Sequence, residues 1–111
     1  MISSALAMLL LVAAAGKNPA AQSREGFARC LKDFVRTSAE KKMEAPAFET
    51  ALAAACRDKE ALFKNTMVSA EVQLGVKRAV AEKGLQEEIK DYRTMAKEDF
   101  QAELASSSSP K

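Results

Sequence analysis

The feature that most constrains the fold is a helical spacing of apolar residues that begins at Phe27. Apolar positions at i, i+3, i+4, i+7 and i+8 form one stripe along one face of a helix. The members of this first stripe are Phe27, Cys30, Leu31, Phe34 and Val35. The sequence that follows has no alternating apolar pattern of the kind that indicates a half-buried strand. The sequence therefore predicts an all-α fold.

A second helix is predicted to start near Pro46, because proline is tolerated in the first turn of a helix. Its apolar stripe and the continuation of that stripe comprise Phe48, Leu52, Ala55, Cys56, Lys59, Phe63, Met67, Ala70, Leu74, Ala81, Leu85, Ile89, Tyr92, Ala96 and Phe100. A single helix over residues 46–103 would be about 87 Å long, which is unusual for a small domain. We expect a break near Gly75, or alternatively at Gly84, and then a third helix that ends at about Glu103.

The two cysteines, Cys30 and Cys56, lie on the first and second stripes. In an antiparallel hairpin each would lie roughly 15–18 Å of helix away from the connecting turn, and therefore at nearly the same height. That placement favours a disulfide over two buried thiols. The predicted fold is thus a disulfide-stapled antiparallel helical hairpin plus a long or broken third helix, after a cleaved signal peptide.

An uncharged apolar run over residues 5–15 suggests export. The run is too short to span a membrane but matches the core of a secretory signal peptide. Small residues allow cleavage before Gly16 or before Lys17; the alternative is that the run forms a buried first helix. The predicted organisation is a signal peptide over residues 1–16, a flexible leader over 17–26, one helical domain over 27–104 and a disordered tail over 105–111.

Composition excludes several classes of function. The chain of 111 residues has no His, so a His-ligated metal site, a Ser-His-Asp triad and a Cys-His dyad are impossible. Its 17 basic and 15 acidic residues leave a formal charge of only +2, which disfavours nucleic-acid binding. The sequence has no glycine-rich phosphate loop or nucleophile elbow. We therefore expect no enzyme, no catalytic, cofactor-binding or metal-ligating residues and no cofactor, and only Cys30 and Cys56 are site residues, with a structural role.

Charged residues form three further groups with weaker signals. The acids near the C-terminus alternate with cations, which is typical of a solvated helix face. The same interpretation is favoured for a basic stripe on the first helix. Lys77 and Arg78 interrupt the long apolar stripe, and they mark either the start of a helix or an exposed partner surface. The members of the first two groups are Glu87, Glu88, Asp91, Glu98 and Asp99, and Arg29, Lys32 and Arg36.

These observations predict a small exported protein, periplasmic or secreted, with a non-catalytic protein-interaction or chaperone-like accessory role. Its partner is an unknown protein or a second copy of the chain, and the mature chain has no stable membrane span. The alternative function is a carrier of a small apolar ligand or lipid held between helices. A third and weaker option is a membrane-surface helix over residues 77–100.

Overall fold

A computed structural model describes residues 18–108, which form four α-helices. We name them α1 (Pro19–Glu40), α2 (Ala45–Ala55), α3 (Arg57–Gln73) and α4 (Arg78–Ser108). No β-strand occurs within this part of the chain, so the all-α prediction is confirmed. The predicted signal peptide over residues 1–16 and the last three residues of the predicted tail lie outside the described residues.

Helix α1 begins earlier than the first apolar stripe suggests. Asn18 is its N-cap: the backbone of Asn18 is extended, and its Oδ1 accepts a hydrogen bond of 2.8 Å from the Ala21 amide. Pro19 occupies the first helical position, where its missing N–H costs nothing. Residues 19–26, which were expected to belong to a flexible leader, are therefore helical.

The second predicted helix starts as expected but is divided in two. Helix α2 begins at Ala45, with Pro46 in its first turn. At Cys56 the backbone leaves the helical region (φ −118°, ψ 28°), and the same residue caps the end of α2 and the start of α3. Ala55 and Lys59 are exposed although the continuous stripe included them, whereas Leu52, Cys56 and Phe63 of the same stripe are buried.

The break predicted near Gly75 is confirmed, and Gly84 lies inside α4. Gly75 has a φ of +95°, a conformation that favours glycine. The Gly75 amide donates to the carbonyl of Val72 and the Val76 amide to that of Glu71, both at 3.0 Å. This pair of bonds is the Schellman motif, which satisfies the last carbonyls of a helix. Helix α4 then runs to Ser108, so it passes the predicted end near Glu103 and enters the expected tail.

The core contains two aromatic clusters. In one, the Phe27 ring centroid lies 5.6 Å from that of Phe63 and 5.5 Å from that of Tyr92. In the other, the rings of Phe48 and Phe100 stack with centroids 4.0 Å apart, and the Phe34 ring lies 5.4 Å from Phe48. Burial of one such ring contributes roughly 1.5–3 kcal/mol. The clusters join α1 to α3 and α4, and α2 to α1 and α4.

The apolar face predicted for the third helix is the one that α4 buries. Its fully buried members are Ala81, Leu85, Ile89, Ala96 and Phe100. Leu74 was expected in the same stripe, but its side chain is 84% exposed. Leu74 is the C-cap of α3 and lies at the end of the bundle, where the neighbouring helices leave its side chain uncovered.

Candidate interaction surfaces and the disulfide

The predicted disulfide between Cys30 and Cys56 is present, with a Cα–Cα distance of 6.0 Å. It lies between the two aromatic clusters: Phe27 and Phe34 flank Cys30 along α1, and Phe48 and Phe63 flank Cys56 along α2 and α3. Cys56 is buried and Cys30 is half-buried. The bond therefore attaches the α2–α3 junction to the middle of α1.

Three ion pairs connect α4 to the other helices. Glu88 pairs with Arg24 of α1, and Arg93 pairs with Glu60 of α3. Lys97 pairs with Glu49 of α2, with an Nζ–Oε1 distance of 3.0 Å. All six side chains are partly exposed, so each pair contributes about 1 kcal/mol or less. Glu88, expected on a solvated face of its own helix, instead links two helices.

Arg24 forms the most densely contacted of these pairs. Its Nη1 also donates to the Tyr92 hydroxyl at 3.3 Å, and its guanidinium carbon lies 5.1 Å from the centre of the Phe63 ring. The hydrogen bond to Tyr92 and the carboxylate of Glu88 raise the pKa of Arg24, and partial burial opposes them. Because arginine is charged at every physiological pH, the cluster is a structural contact between α1 and α4.

A groove runs along the surface between α1 and α3. Its wider part, about 590 Å³, is lined by the α1 start and the second half of α3, and a narrower part of about 200 Å³ continues it towards Lys59. Pro19 and Thr66 line both parts. The remaining lining residues are Asn18, Ala20, Gln22, Ser23, Gly26, Lys59, Leu62, Asn65, Ser69, Ala70, Gln73 and Leu74. Small and uncharged side chains predominate, and we call this surface the α1–α3 groove.

The turn between α3 and α4 forms an exposed apolar and basic surface, which we call the tip. Its members are Val72, Leu74, Lys77, Arg78 and Val80, all exposed. Leu74 and Val80 are 84% and 61% exposed. Since Asn18, Pro19 and Leu74 line the same part of the groove, the tip lies at the end of the bundle where α1 begins.

The charged groups expected from the sequence are exposed or half-buried. No cluster of three or more His, Cys, Asp or Glu residues that could hold a metal ion occurs within residues 18–108. In the basic stripe, Arg36 pairs with Asp33 of its own helix at 3.3 Å. Lys32 and Arg36 share a shallow groove with Asp99 and Glu103, where positive and negative charges are balanced.

Both surfaces could be found only in part from the sequence. The interruption by Lys77 and Arg78 indicated a helix start or an exposed surface, and Arg78 is the first residue of α4. The apolar part of the tip was missed because Leu74 fits the stripe. The α1–α3 groove was missed because its α1 half lies in the segment that was expected to be a flexible leader.

Comparison of the chain with family models, with curated proteins and with solved structures finds no match. Within residues 18–108, none of the helices combines the length and the apolar character needed to cross a bilayer. The amphipathic helix considered for a membrane surface, over residues 77–100, directs its apolar face into the core instead.

Proposed function

We propose that the chain is a small exported helical protein, periplasmic or secreted, with a non-catalytic protein-interaction role of an accessory or chaperone-like kind. The observation that carries the proposal is the α1–α3 groove, with Leu62 and Leu74 exposed on its lining. Leu62 is 51% exposed, whereas the next residue of α3, Phe63, is fully buried. Exposed apolar side chains that line a concave surface are typical of a contact site.

Export is supported by the disulfide and by the apolar run over residues 5–15. Disulfides persist in oxidising compartments and are rare in the cytosol. A run of this length followed by small residues is typical of a signal peptide that is removed. We propose cleavage before Gly16 or before Lys17, which would leave a mature chain that has no stable membrane span.

The mature fold in this proposal is a disulfide-stapled antiparallel hairpin followed by a third helix. The order of contacts supports it. Phe27 contacts Phe63 and the later residue Phe34 contacts the earlier residue Phe48, as two antiparallel segments require. One segment is α1 and the other is α2 with α3, broken at Cys56.

A segment of a partner protein, or of a second copy of the chain, would occupy the groove. Ala20 and Ala70 contribute small side chains to the lining, which allows a second backbone to approach closely. Asn65 and Gln73 are exposed and offer amide groups to hydrogen-bond such a segment. An amphipathic helix in a groove of this kind is a recurrent mode of recognition.

The test is site-specific photo-crosslinking in the native host. A photoreactive residue replaces Leu62, and the matched control replaces Gln86, which is exposed on α4 outside the groove. We expect a discrete protein adduct from position 62 and none from position 86. No adduct at position 62, or the same adducts at both positions, would contradict a partner in the groove.

The alternative function is a carrier of a small apolar ligand or lipid held between helices. The volume of about 590 Å³ in the wider part of the groove favours it, because small-molecule sites commonly enclose 300–1,000 Å³. Native mass spectrometry of protein purified from its own host would show a retained ligand. Ser69→Trp, which fills the groove, should remove that ligand, whereas Gln86→Trp should not.

A further inference from the structure

We propose that the tip binds the surface of an anionic lipid bilayer. The tip shares Leu74 with the lining of the α1–α3 groove, whereas Lys77, Arg78 and Val80 lie outside that lining, so removal of the two charges tests the tip separately from the groove. In the bound state Leu74 and Val80 enter the boundary between headgroups and acyl chains, while Lys77 and Arg78 contact phosphate groups.

The exposure of the apolar side chains is built into the turn. Gly75 has a left-handed conformation and the two Schellman hydrogen bonds fix the backbone from Glu71 to Val76. Leu74 is therefore held in solvent by ordered backbone, and at 84% it is more exposed than the other exposed large apolar residues among residues 18–108. Such a side chain gains contacts only when another apolar phase covers it.

The charges of the tip match an anionic surface. Lys77 and Arg78 are both exposed, and the ion pairs among residues 18–108 are formed by other side chains. The acids nearest in sequence, Glu71 and Glu82, are half-buried. Anionic leaflets attract basic residues close to their surface, and each one strengthens binding about fivefold.

The opposite end of the bundle offers a matched control. The turn between α1 and α2 also carries two adjacent exposed cations, Lys41 and Lys42. None of the exposed large apolar side chains among residues 18–108 lies in that turn. Binding through the tip requires the combination of charge and apolar surface, whereas a general attraction of cations would involve both ends.

The first test uses tryptophan as a depth reporter, because the chain has none. The Leu74→Trp and Leu62→Trp proteins are both purified from the native host with the disulfide closed. The two proteins therefore have the same N-terminus. Vesicles contain phosphatidylglycerol and phosphatidylcholine, with brominated lipid as quencher, or phosphatidylcholine alone. We expect a blue shift and quenching of Leu74→Trp on anionic vesicles, with little change for Leu62→Trp. Equal responses of the two reporters would overturn the proposal.

The second test removes charge from each end of the Leu74→Trp protein. Lys77→Gln with Arg78→Gln should raise the anionic lipid needed for half-maximal quenching roughly thirtyfold, and added salt should reproduce part of that loss. Lys41→Gln with Lys42→Gln, which changes the net charge equally, should leave it unchanged. Equal losses from both ends would overturn binding through the tip. A blue shift of the Leu74→Trp fluorescence that appears with a lipid-free protein fraction of the host, and not with vesicles, would also overturn it. That result would assign the tip to a protein partner.

Discussion

Removal of the disulfide is the perturbation whose magnitude follows most directly from the structure. Cys56 lies 26 positions after Cys30 in the sequence. The chain-entropy relation for a loop of that length gives about 3.5 kcal/mol of stability at 25 °C. In a domain of this size, 1 kcal/mol corresponds to a change in Tm of about 4–8 °C, so the loss corresponds to roughly 14–28 °C. The stability of a small domain is only about 5–15 kcal/mol, and the loss is therefore a large fraction of it.

The assay is thermal and urea unfolding followed by circular dichroism at 222 nm. The oxidised protein is compared with the Cys30→Ala, Cys56→Ala double variant and with the reduced protein, which keeps both sulfurs. We expect both to lose helical signal at lower temperature and lower urea than the oxidised protein, with the variant at least as unstable as the reduced form. A difference below about 1 kcal/mol would refute the reasoning, because the loop would then restrict the unfolded chain far less than its length implies.

Four further substitutions have defined outcomes in the same unfolding assay, one of them with hydrogen exchange as a second readout. Phe100→Ala should cost about 3–5 kcal/mol, because Phe100 is buried and stacks on another ring, and a loss below about 1 kcal/mol would argue against that packing. Asn18→Ala should cost about 1 kcal/mol by removing the cap of α1, and hydrogen exchange of the first-turn amides should rise; unchanged exchange would contradict the cap. Gly84→Ala should stabilise the protein by up to about 1 kcal/mol, since a Cβ there meets open space inside a helix. Gly75→Ala should destabilise the protein because Gly75 has a positive φ. A stability change of the same sign for both substitutions would disprove the placement of Gly84 within α4 and of Gly75 in the turn.

The parts of the fold that the sequence predicts are those where one residue type permits few conformations or where a stripe is long. Leu85 and Ile89 lie where the helical period places them, and both are buried. The break at Gly75 was predicted because one helix over residues 46–103 would be about 87 Å long and because glycine is unfavourable inside a helix. The disulfide was predicted because the two cysteines lie at nearly equal heights on two facing stripes, and this placement satisfies the distance that a disulfide requires.

Two features were missed for different physical reasons. The break at Cys56 has no glycine or proline signal nearby, and it falls at the residue that the disulfide joins to Cys30. The start of α1 did have a signal, since Asn18 and Pro19 form an N-cap followed by a proline at the first helical position. The same rule was applied to Pro46, but the residues after Pro19 lack large apolar side chains, so no stripe supported a helix there.

The candidate surfaces were less predictable than the core. A groove depends on which small side chains of two helices face each other, and a single sequence does not give that pairing. Exposure of Leu74 depends on where α3 ends relative to the neighbouring helices, because Leu74 is the C-cap of that helix and its side chain is 84% exposed. A stripe alone gives no information about such an end effect.

The measurement that tests the central claim most directly is the intact mass of the protein recovered from its native host, with and without reductant and a thiol-blocking reagent. An exported, disulfide-stapled protein should have lost the residues before Gly16 or Lys17, and Cys30 and Cys56 should be blocked only after reduction. A full-length chain whose two thiols are blocked without reductant would contradict the export, the disulfide and the proposed compartment together.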